Sequence, residues 1–129
     1  MADEINYIQE YIDLQSLRLG RHTKVDVHYQ IDDNSAMIAP MILITFVENA
    51  FKYGISSTTN SLISISIELK GGVLQFNSTN GIYNRSKQTA SGIGIENCRK
   101  RMELLYPERY TLLCEPNEQM FNVTLTLQL

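Results

Sequence analysis

The sequence has few of the features that mark disulfide-bonded, zinc-binding or membrane-spanning proteins. Its two cysteines, Cys98 and Cys114, have neither CxxC spacing nor clustered histidines beside them. This excludes the usual zinc and redox motifs, and we expect both thiols to be small buried residues. The sequence contains no run of about 18 apolar residues and no secretory signal pattern, so we expect a cytoplasmic domain without a membrane-spanning segment.

Basic residues are also scarce. The chain has 11 Lys and Arg against 14 Asp and Glu, and its formal net charge is -3. Proteins that follow nucleic-acid phosphates usually carry a basic patch, whereas the basic residues here are scattered, so we expect no general nucleic-acid binding. A chain of 129 residues with 43% hydrophobic residues fits one domain with its own core.

The stretch PMILITFVENAFKYG, from Pro40 to Gly54, predicts a largely buried helix. Proline suits the first helical position because the amide proton that it lacks would have no partner there, and glycine is a common helix stop. Between them, apolar residues cover most of the helix circumference.

Four polar residues interrupt that apolar surface along one stripe. Thr45, Glu48, Asn49 and Lys52 follow i, i+3, i+4, i+7 spacing, which places them within roughly 100° of arc. Burying such groups without partners would cost about 2 kcal/mol or more for each. The stripe therefore either faces water on an ordinary amphipathic helix or meets a polar ligand, and this stretch alone leaves both interpretations open.

Residues Asp3 to Leu19 predict an earlier helix with two adjoining apolar rows. The rows are Ile5, Ile8, Ile12, Leu19 and Tyr7, Tyr11, Leu14. Together they cover about half the circumference, more than a helix packed on one neighbour needs. The helix is either a core helix of this domain or the end of a longer helical stem, and we favour the stem.

Period-two alternation of apolar residues predicts five strands. They are Val25 to Ile31, Leu62 to Leu69, Val73 to Ser78, Tyr110 to Cys114 and Phe121 to Leu127. The second and third form a hairpin around Gly71 and Gly72. The element order predicts an α+β fold, in which a mixed sheet of about five strands is covered on one face by helices.

Residues 82–91 show no apolar periodicity and predict a mobile loop. Ser91 is expected to cap a last helix from about Gly92 to Tyr106. Gly92 and Gly94 would then lie at a helix start, where free N–H groups and the helix dipole favour phosphate. Asn97 stands where the Rossmann fingerprint has its third glycine, and the sequence contains no GxxxxGK[ST]. Neither the Rossmann fingerprint nor the P-loop is therefore present.

FVENAFKYG resembles the N box of the histidine kinase-like ATPases, and GIGIENCRKRMELLYP resembles their glycine box. The opening EINYIQEYIDLQSLRLG resembles the segment that leads into the ATPase domain of LytS-type sensor histidine kinases. This resemblance covers essentially the whole chain. It implies the two-layer α/β sandwich of the Bergerat ATP-binding fold, with residues 1–20 as the end of the dimerisation and phosphoacceptor stem and residues 21–129 as the catalytic domain.

The resemblance implies a site for ATP and Mg²⁺ on the polar stripe. Asn49 would hold the metal that bridges the phosphates, and Glu48 would lie beside it as a polar or base-like partner. Lys52 and Tyr53 would approach the phosphates. A magnesium nucleotide is the kind of partner that this stripe requires.

The resemblance also implies a lid that closes over the nucleotide. Gly92, Ile93 and Gly94 would form its hinge and present backbone N–H groups. The segment from Gly81 to Ser91 contains Tyr83, Arg85 and Lys87. Each of these side chains is either a nucleotide contact or an ordinary solvated residue, and we favour the second interpretation for each.

The second hairpin strand departs from the wider family pattern. The family has an aspartate there, within Asp-x-Gly, that accepts a hydrogen bond from the adenine amino group. Alignment on the inward residues of the strand puts Asn80 at that position, while Asn77 falls on the opposite face. An amide oxygen can accept the bond, but we expect a neutral amide to bind adenine more weakly than a carboxylate.

The phosphoacceptor histidine of the resembled kinases lies upstream, and neither His22 nor His28 matches its setting, so both are expected at the surface. The resemblance implies phosphoryl transfer from ATP to that upstream histidine and then to a response regulator of the LytTR type. The full-length protein would be a homodimer anchored in the cytoplasmic membrane.

Two alternatives remain: a nucleotide-weak pseudokinase or interaction module, which Asn80 keeps open, and an anti-sigma-factor-type serine kinase, against which the opening helix argues.

Overall fold

The computed structural model describes residues 1–56, 58–83, 88–116 and 119–129, with only the backbone described for residues 88–93 and 116. The elements follow one another in this order: α1 (Ala2–Ser16), β1 (Thr23–Ile31), α2 (Ile42–Gly54), β2 (Ser61–Lys70), β3 (Val73–Gly81), α3 (Gln88–Leu105), β4 (Tyr110–Pro116) and β5 (Met120–Gln128).

The five strands form one mixed sheet in the order β1-β2-β3-β5-β4. β1 and β2 are parallel because α2 carries the chain back between them, and the other neighbouring pairs are antiparallel. β2 and β3 join through Gly71 and Gly72, whose φ angles of 59° and 78° suit a tight hairpin turn. The predicted α+β architecture is confirmed.

One face of the sheet is apolar and shares a single core with the helices. The inward residues are fully or nearly fully buried along three strands: Ile63, Ile65, Ile67 and Leu69 of β2, Leu74 and Phe76 of β3, and Val123, Leu125 and Leu127 of β5. The intervening residues on the other face are exposed or half-buried. This alternation is what places Ser78 and Asn80 of β3 under the helices.

α2 begins later than the sequence predicts. Its first helical residue is Ile42, and Met41 is the N-cap residue with a left-handed φ of 69°, so the expectation that Pro40 occupies the first helical position is wrong. Distant groups hold this segment: the Glu4 carboxylate accepts from the Met41 N–H at 3.3 Å, and Arg101 donates to the Pro40 carbonyl at 2.7 Å. Tertiary contacts therefore set the start of the helix.

α2 ends at Gly54, as predicted, but for a different reason. The next residue, Ile55, is extended, and no left-handed glycine closes the helix. A Cβ at Gly54 would lie 2.9 Å from the Asn80 Cβ and 2.9 Å from Ile63 Cγ1. Glycine is required here because α2 approaches β3 and β2 closely.

The two apolar rows of α1 have different environments. Ile8 and Ile12 belong to the core, and Tyr11 packs edge-on against Phe51 of α2 with ring centroids 5.8 Å apart. Tyr7 and Leu14 are exposed. The first row and Tyr11 of the second row thus pack on this domain, while assignment of residues 1–20 to a stem stays a prediction.

α3 begins four residues before the predicted start at Gly92 and ends at Leu105, one residue before the predicted end. Ser91 is therefore inside the helix and is not its cap, and residues 88–91 are helical where a loop was expected. A first helical turn needs no apolar periodicity, so the sequence pattern could not detect it. Residues 84–87, with the predicted lid side chains of Arg85 and Lys87, lie outside the described residues.

Candidate nucleotide site

The polar stripe of α2 does not simply face water. Glu48 is exposed and Thr45 and Lys52 are half-buried, but Asn49 is 5% exposed. Thr45 is satisfied within the helix, because its hydroxyl donates to the Met41 carbonyl at 2.8 Å. The middle of the stripe therefore buries an amide, which an ordinary amphipathic helix would keep in solvent.

Three buried side-chain oxygens in the described part of the chain have no hydrogen-bond partner: Asn49 Oδ1, Ser78 Oγ and Asn80 Oδ1. Asn49 is on α2, and the other two occupy successive inward positions of β3, the strand on which α2 packs. Buried polar groups in native proteins are nearly always paired. Unpaired oxygens on two packed elements therefore indicate a place where a ligand or water completes the structure.

Asn80 has a defined amide orientation. Its side chain is 0% exposed, and Nδ2 donates to the Gly81 carbonyl at 2.7 Å. The oxygen is left as an unused acceptor at the end of β3. Asn77, on the other face of the strand, is exposed as the alternation predicted.

The chain beyond β3 folds back onto the end of α2. The Tyr83 N–H donates to the Tyr53 carbonyl at 2.9 Å. A Cβ at Gly81 would lie 2.5 Å from the Tyr83 ring, so this close contact depends on glycine. The Tyr53 side chain is 2% exposed, while Tyr83 remains 41% exposed. The predicted lid therefore starts beside the C-terminal end of the polar stripe.

The glycine segment lies within α3 and not at its start. Gly92 and Gly94 follow the first turn, whereas the free N–H groups of a helix belong to that turn. The expected display of their N–H groups at a helix start is therefore absent from this structure. A Cβ at Gly94 would lie 3.9 Å from Thr45 Cγ2, so α3 passes close to the stripe at this point.

Comparisons with known proteins bear on the fold of this chain. No family model matches the sequence. The sensor histidine kinase BtsS of Escherichia coli K12 is 26% identical over 122 residues, and a protein of the same name from Shigella flexneri is equally similar. The match covers 91% of this chain and 22% of each relative, so the chain spans about a fifth of the length of these curated relatives.

Solved structures of histidine kinases share the fold of this chain. The catalytic domain of histidine kinase ThkA superposes with a TM-score of 0.61 at 19% identity, covering 97% of this chain and 92% of that domain. A blue-light activated histidine kinase of Erythrobacter litoralis has a TM-score of 0.64 at 13% identity, covering 96% of this chain and 41% of that protein. This chain has the fold of a histidine kinase catalytic domain. Full-length ShkA, solved in complex with AMPPNP, shares it with a TM-score of 0.61 at 12% identity, covering 98% of this chain and 29% of that one.

Neither the cysteines nor the histidines form hydrogen bonds with the three unpaired oxygens. Cys98 is buried, and burial raises the pKa of its thiol to about 11, so it stays protonated at neutral pH. Cys114 is half-buried, and both thiols are free. His28 lies 3.6 Å from Glu68 on the exposed face of the sheet, and the His22 ring contacts Asn60 at 3.3 Å.

The described residues contain no cluster of three or more His, Cys, Asp or Glu side chains that could hold a metal ion. Nor does any described helix combine the length and apolar character that a bilayer crossing requires. A divalent cation at Asn49 would thus need most of its ligands from phosphates and water, which is the usual manner of binding for Mg²⁺.

Sequence reasoning identified Asn49 and Asn80 but gave Ser78 no role. The available signal was a polar residue at an inward strand position that follows two apolar ones, Leu74 and Phe76. A serine that breaks an apolar inward row is itself a candidate ligand contact.

Proposed function

We propose that this chain is the ATP-binding catalytic domain of a LytS-type two-component sensor histidine kinase. Its role would be to present the γ-phosphoryl group of ATP to a histidine outside this sequence, from which a response regulator receives it. The observation that carries the proposal is the pair of unpaired amide oxygens, Asn49 Oδ1 and Asn80 Oδ1, on the packed faces of α2 and β3.

Asn49 fits a magnesium ligand in its chemistry. Its buried oxygen accepts no hydrogen bond within the described protein, and amide oxygens are suitable ligands for hard cations. Glu48 and Lys52 flank it on the stripe, one exposed and the other half-buried. When bound, Mg²⁺ would neutralise phosphate charge, while Asn49 would position it and Lys52 would add a positive charge near the phosphates.

Asn80 fits the base end of the same nucleotide. Because Nδ2 donates to the Gly81 carbonyl, Oδ1 is left as an unpaired acceptor, which would suit the exocyclic amino group of adenine. Tyr53 and the hinge residues Gly92, Ile93 and Gly94 would border the phosphate side. The short approach of Gly94 to Thr45 supports this placement of the hinge.

The remaining partners follow from the same proposal. Its protein partners would be the upstream phosphoacceptor helix, a LytTR-type response regulator and a second copy of the full-length kinase. Nucleic acid would not be a partner. This domain would lie in the cytoplasm, with the full-length protein anchored in the membrane. The names of the curated relatives, which are sensor histidine kinases, support this assignment.

Calorimetric titration of the chain with AMPPNP, with and without Mg²⁺, tests the proposal. We expect magnesium-dependent binding that Asn49→Ala weakens by at least about tenfold, since the variant removes the only proposed protein ligand. Asn77→Ala, on the exposed face of β3, is the matched control and should bind like the unmodified chain. Equal binding by the Asn49 variant, or no binding at millimolar AMPPNP, would contradict the proposal.

A nucleotide-weak pseudokinase of the same fold is the second candidate, and the neutral amide of Asn80 favours it. Asn80→Asp separates the two. A carboxylate acceptor forms hydrogen bonds roughly twice as strong as a neutral acceptor, so the variant should bind adenine nucleotide more tightly even though it loses the donation from Nδ2 to the Gly81 carbonyl. If only the aspartate variant binds AMPPNP, the natural chain is a pseudokinase. If both bind, the catalytic assignment stands.

A further inference from the structure

Ser78 carries the third unpaired oxygen, and neither the stripe of α2 nor the adenine contact at Asn80 accounts for it. The side chain is 2% exposed on the inward face of β3. It lies directly opposite Ile65 of β2 and Val123 of β5, both of which are buried. Directly opposed residues are the nearest side-chain neighbours on one face of a sheet. The two neighbouring strands therefore place only apolar side chains directly opposite the Ser78 hydroxyl.

A serine at this position opposes folding of the free protein. A buried hydroxyl without a partner loses its hydrogen bonds to water and regains none. The next inward residue along β3 is Asn80, whose oxygen is also unpaired. Two successive inward residues are about 7 Å apart along a strand. Both side chains thus lie on the same face of β3, toward the end of the strand that Gly54 of α2 approaches.

We propose that the Ser78 hydroxyl is a second recognition group for adenine, which works beside Asn80 and rests on the nucleotide site proposed above. Adenine presents an amino donor next to a ring-nitrogen acceptor. Asn80 Oδ1 would accept from the amino group, and the Ser78 hydroxyl would donate to the ring nitrogen, directly or through one water molecule. Guanine presents the reverse pattern on this edge, a carbonyl acceptor next to a ring N–H donor. Because Asn80 Oδ1 can only accept, it would face the guanine carbonyl without a hydrogen bond, and the site would select adenine over guanine.

Calorimetry with three ligands tests this role: AMPPNP with Mg²⁺, ADP with a chelator in place of Mg²⁺, and GMPPNP with Mg²⁺. The variants are Ser78→Ala and Ser78→Cys, which keeps nearly the same volume but bonds weakly through sulfur. Ser66→Ala on the opposite face of β2 is the matched control.

Both Ser78 variants should bind AMPPNP and magnesium-free ADP more weakly by the same factor, roughly two- to tenfold, because the lost hydrogen bond is to the base. The preference for AMPPNP over GMPPNP should fall with it. The melting temperature of ligand-free Ser78→Ala should equal or exceed that of the unmodified chain, since an unpaired hydroxyl has been removed. Ser66→Ala should leave all three affinities unchanged.

Unchanged AMPPNP affinity in Ser78→Ala overturns the role of Ser78 and leaves the nucleotide site standing. Normal affinity in Ser78→Cys, together with a lowered melting temperature in Ser78→Ala, shows that Ser78 only fills space and also overturns it. If the unmodified chain binds none of the three ligands, both the proposed function and the role of Ser78 are wrong.

Discussion

Asn49 and Asn80 each bury an amide whose oxygen accepts no hydrogen bond within the described protein. Leaving such a group unsatisfied costs about 1–3 kcal/mol, which is a large share of the roughly 5–15 kcal/mol by which a domain is stable. A nucleotide that pairs with these oxygens would recover part of that cost. Side chains that are unfavourable for the free fold are thus consistent with a binding site.

Gly54 is the residue that permits α2 to approach Asn80, and Gly54→Ala tests this contact. A Cβ 2.9 Å from both Asn80 and Ile63 overpacks the junction, so we expect a loss of about 1–3 kcal/mol in the free energy of unfolding. Urea denaturation measures the loss.

Gly20→Ala is the matched control for Gly54→Ala, because nothing lies within 4 Å of a Cβ built at Gly20. Its stability should change by less than about 0.5 kcal/mol. Equal stabilities of the two variants would show that α2 can shift away from Asn80 without cost.

At the scale of elements, helix boundaries depended on contacts that the local sequence does not contain. Met41 adopts a left-handed φ at the start of α2, while Glu4 from α1 and Arg101 from α3 hold its neighbourhood. α1 shows a related effect, because its first apolar row and Tyr11 of the second row meet the core, while Tyr7 and Leu14 are exposed. An apolar row in the sequence therefore did not by itself reveal its partner.

Two substitutions in α1 test whether this helix stabilises the domain. Ile12→Ala should lower the free energy of unfolding by about 2–5 kcal/mol, since it empties a buried core position. Leu14→Ala, at an exposed position of α1, should change the free energy of unfolding by less than about 0.5 kcal/mol. Urea denaturation measures the free energy of unfolding of both variants. If neither variant is destabilised, α1 contributes nothing to the core of this domain, and its assignment to a separate stem gains support.

At the scale of the whole molecule, one mixed sheet with a single apolar face explains both the core and the site. The inward row of β3 changes from Leu74 and Phe76 in the core to Ser78 and Asn80 where α2 ends. The open face of the sheet has no such burial. The core and the proposed nucleotide site are thus two ends of the same layer.

The stability of the whole chain should fall at alkaline pH. Burial raises the pKa of Cys98 to about 11, and burial followed by the charge of Asp13 raises the pKa of Tyr29 to about 12. The folded state keeps these protons at a pH where the unfolded state has released them. The resulting stability is complete below the unfolded pKa values and is lost as pH rises through the folded ones.

Urea denaturation at pH 8, 9 and 10 measures this alkaline loss. Between pH 9 and 10, Cys98 should account for a fall of about 1 kcal/mol, because a single proton contributes at most about 1.4 kcal/mol per pH unit. Cys98→Ala should flatten the dependence by that amount, whatever its effect on stability at pH 8. An unchanged slope in the variant would show that the thiol ionises equally in both states.

The sequence by itself determined the strands, their inward faces, the polar stripe of α2 and the inward position of Asn80. Those features repeat every 2 or about 3.6 residues, so neighbours along the chain are enough to reveal them. Only the tertiary structure decided the strand order, the left-handed start of α2, which apolar residues of α1 are buried, and the apolar residues that lie opposite Ser78. Each of these depends on groups that are far apart in sequence, and the local pattern carries no information about which distant group will be the neighbour.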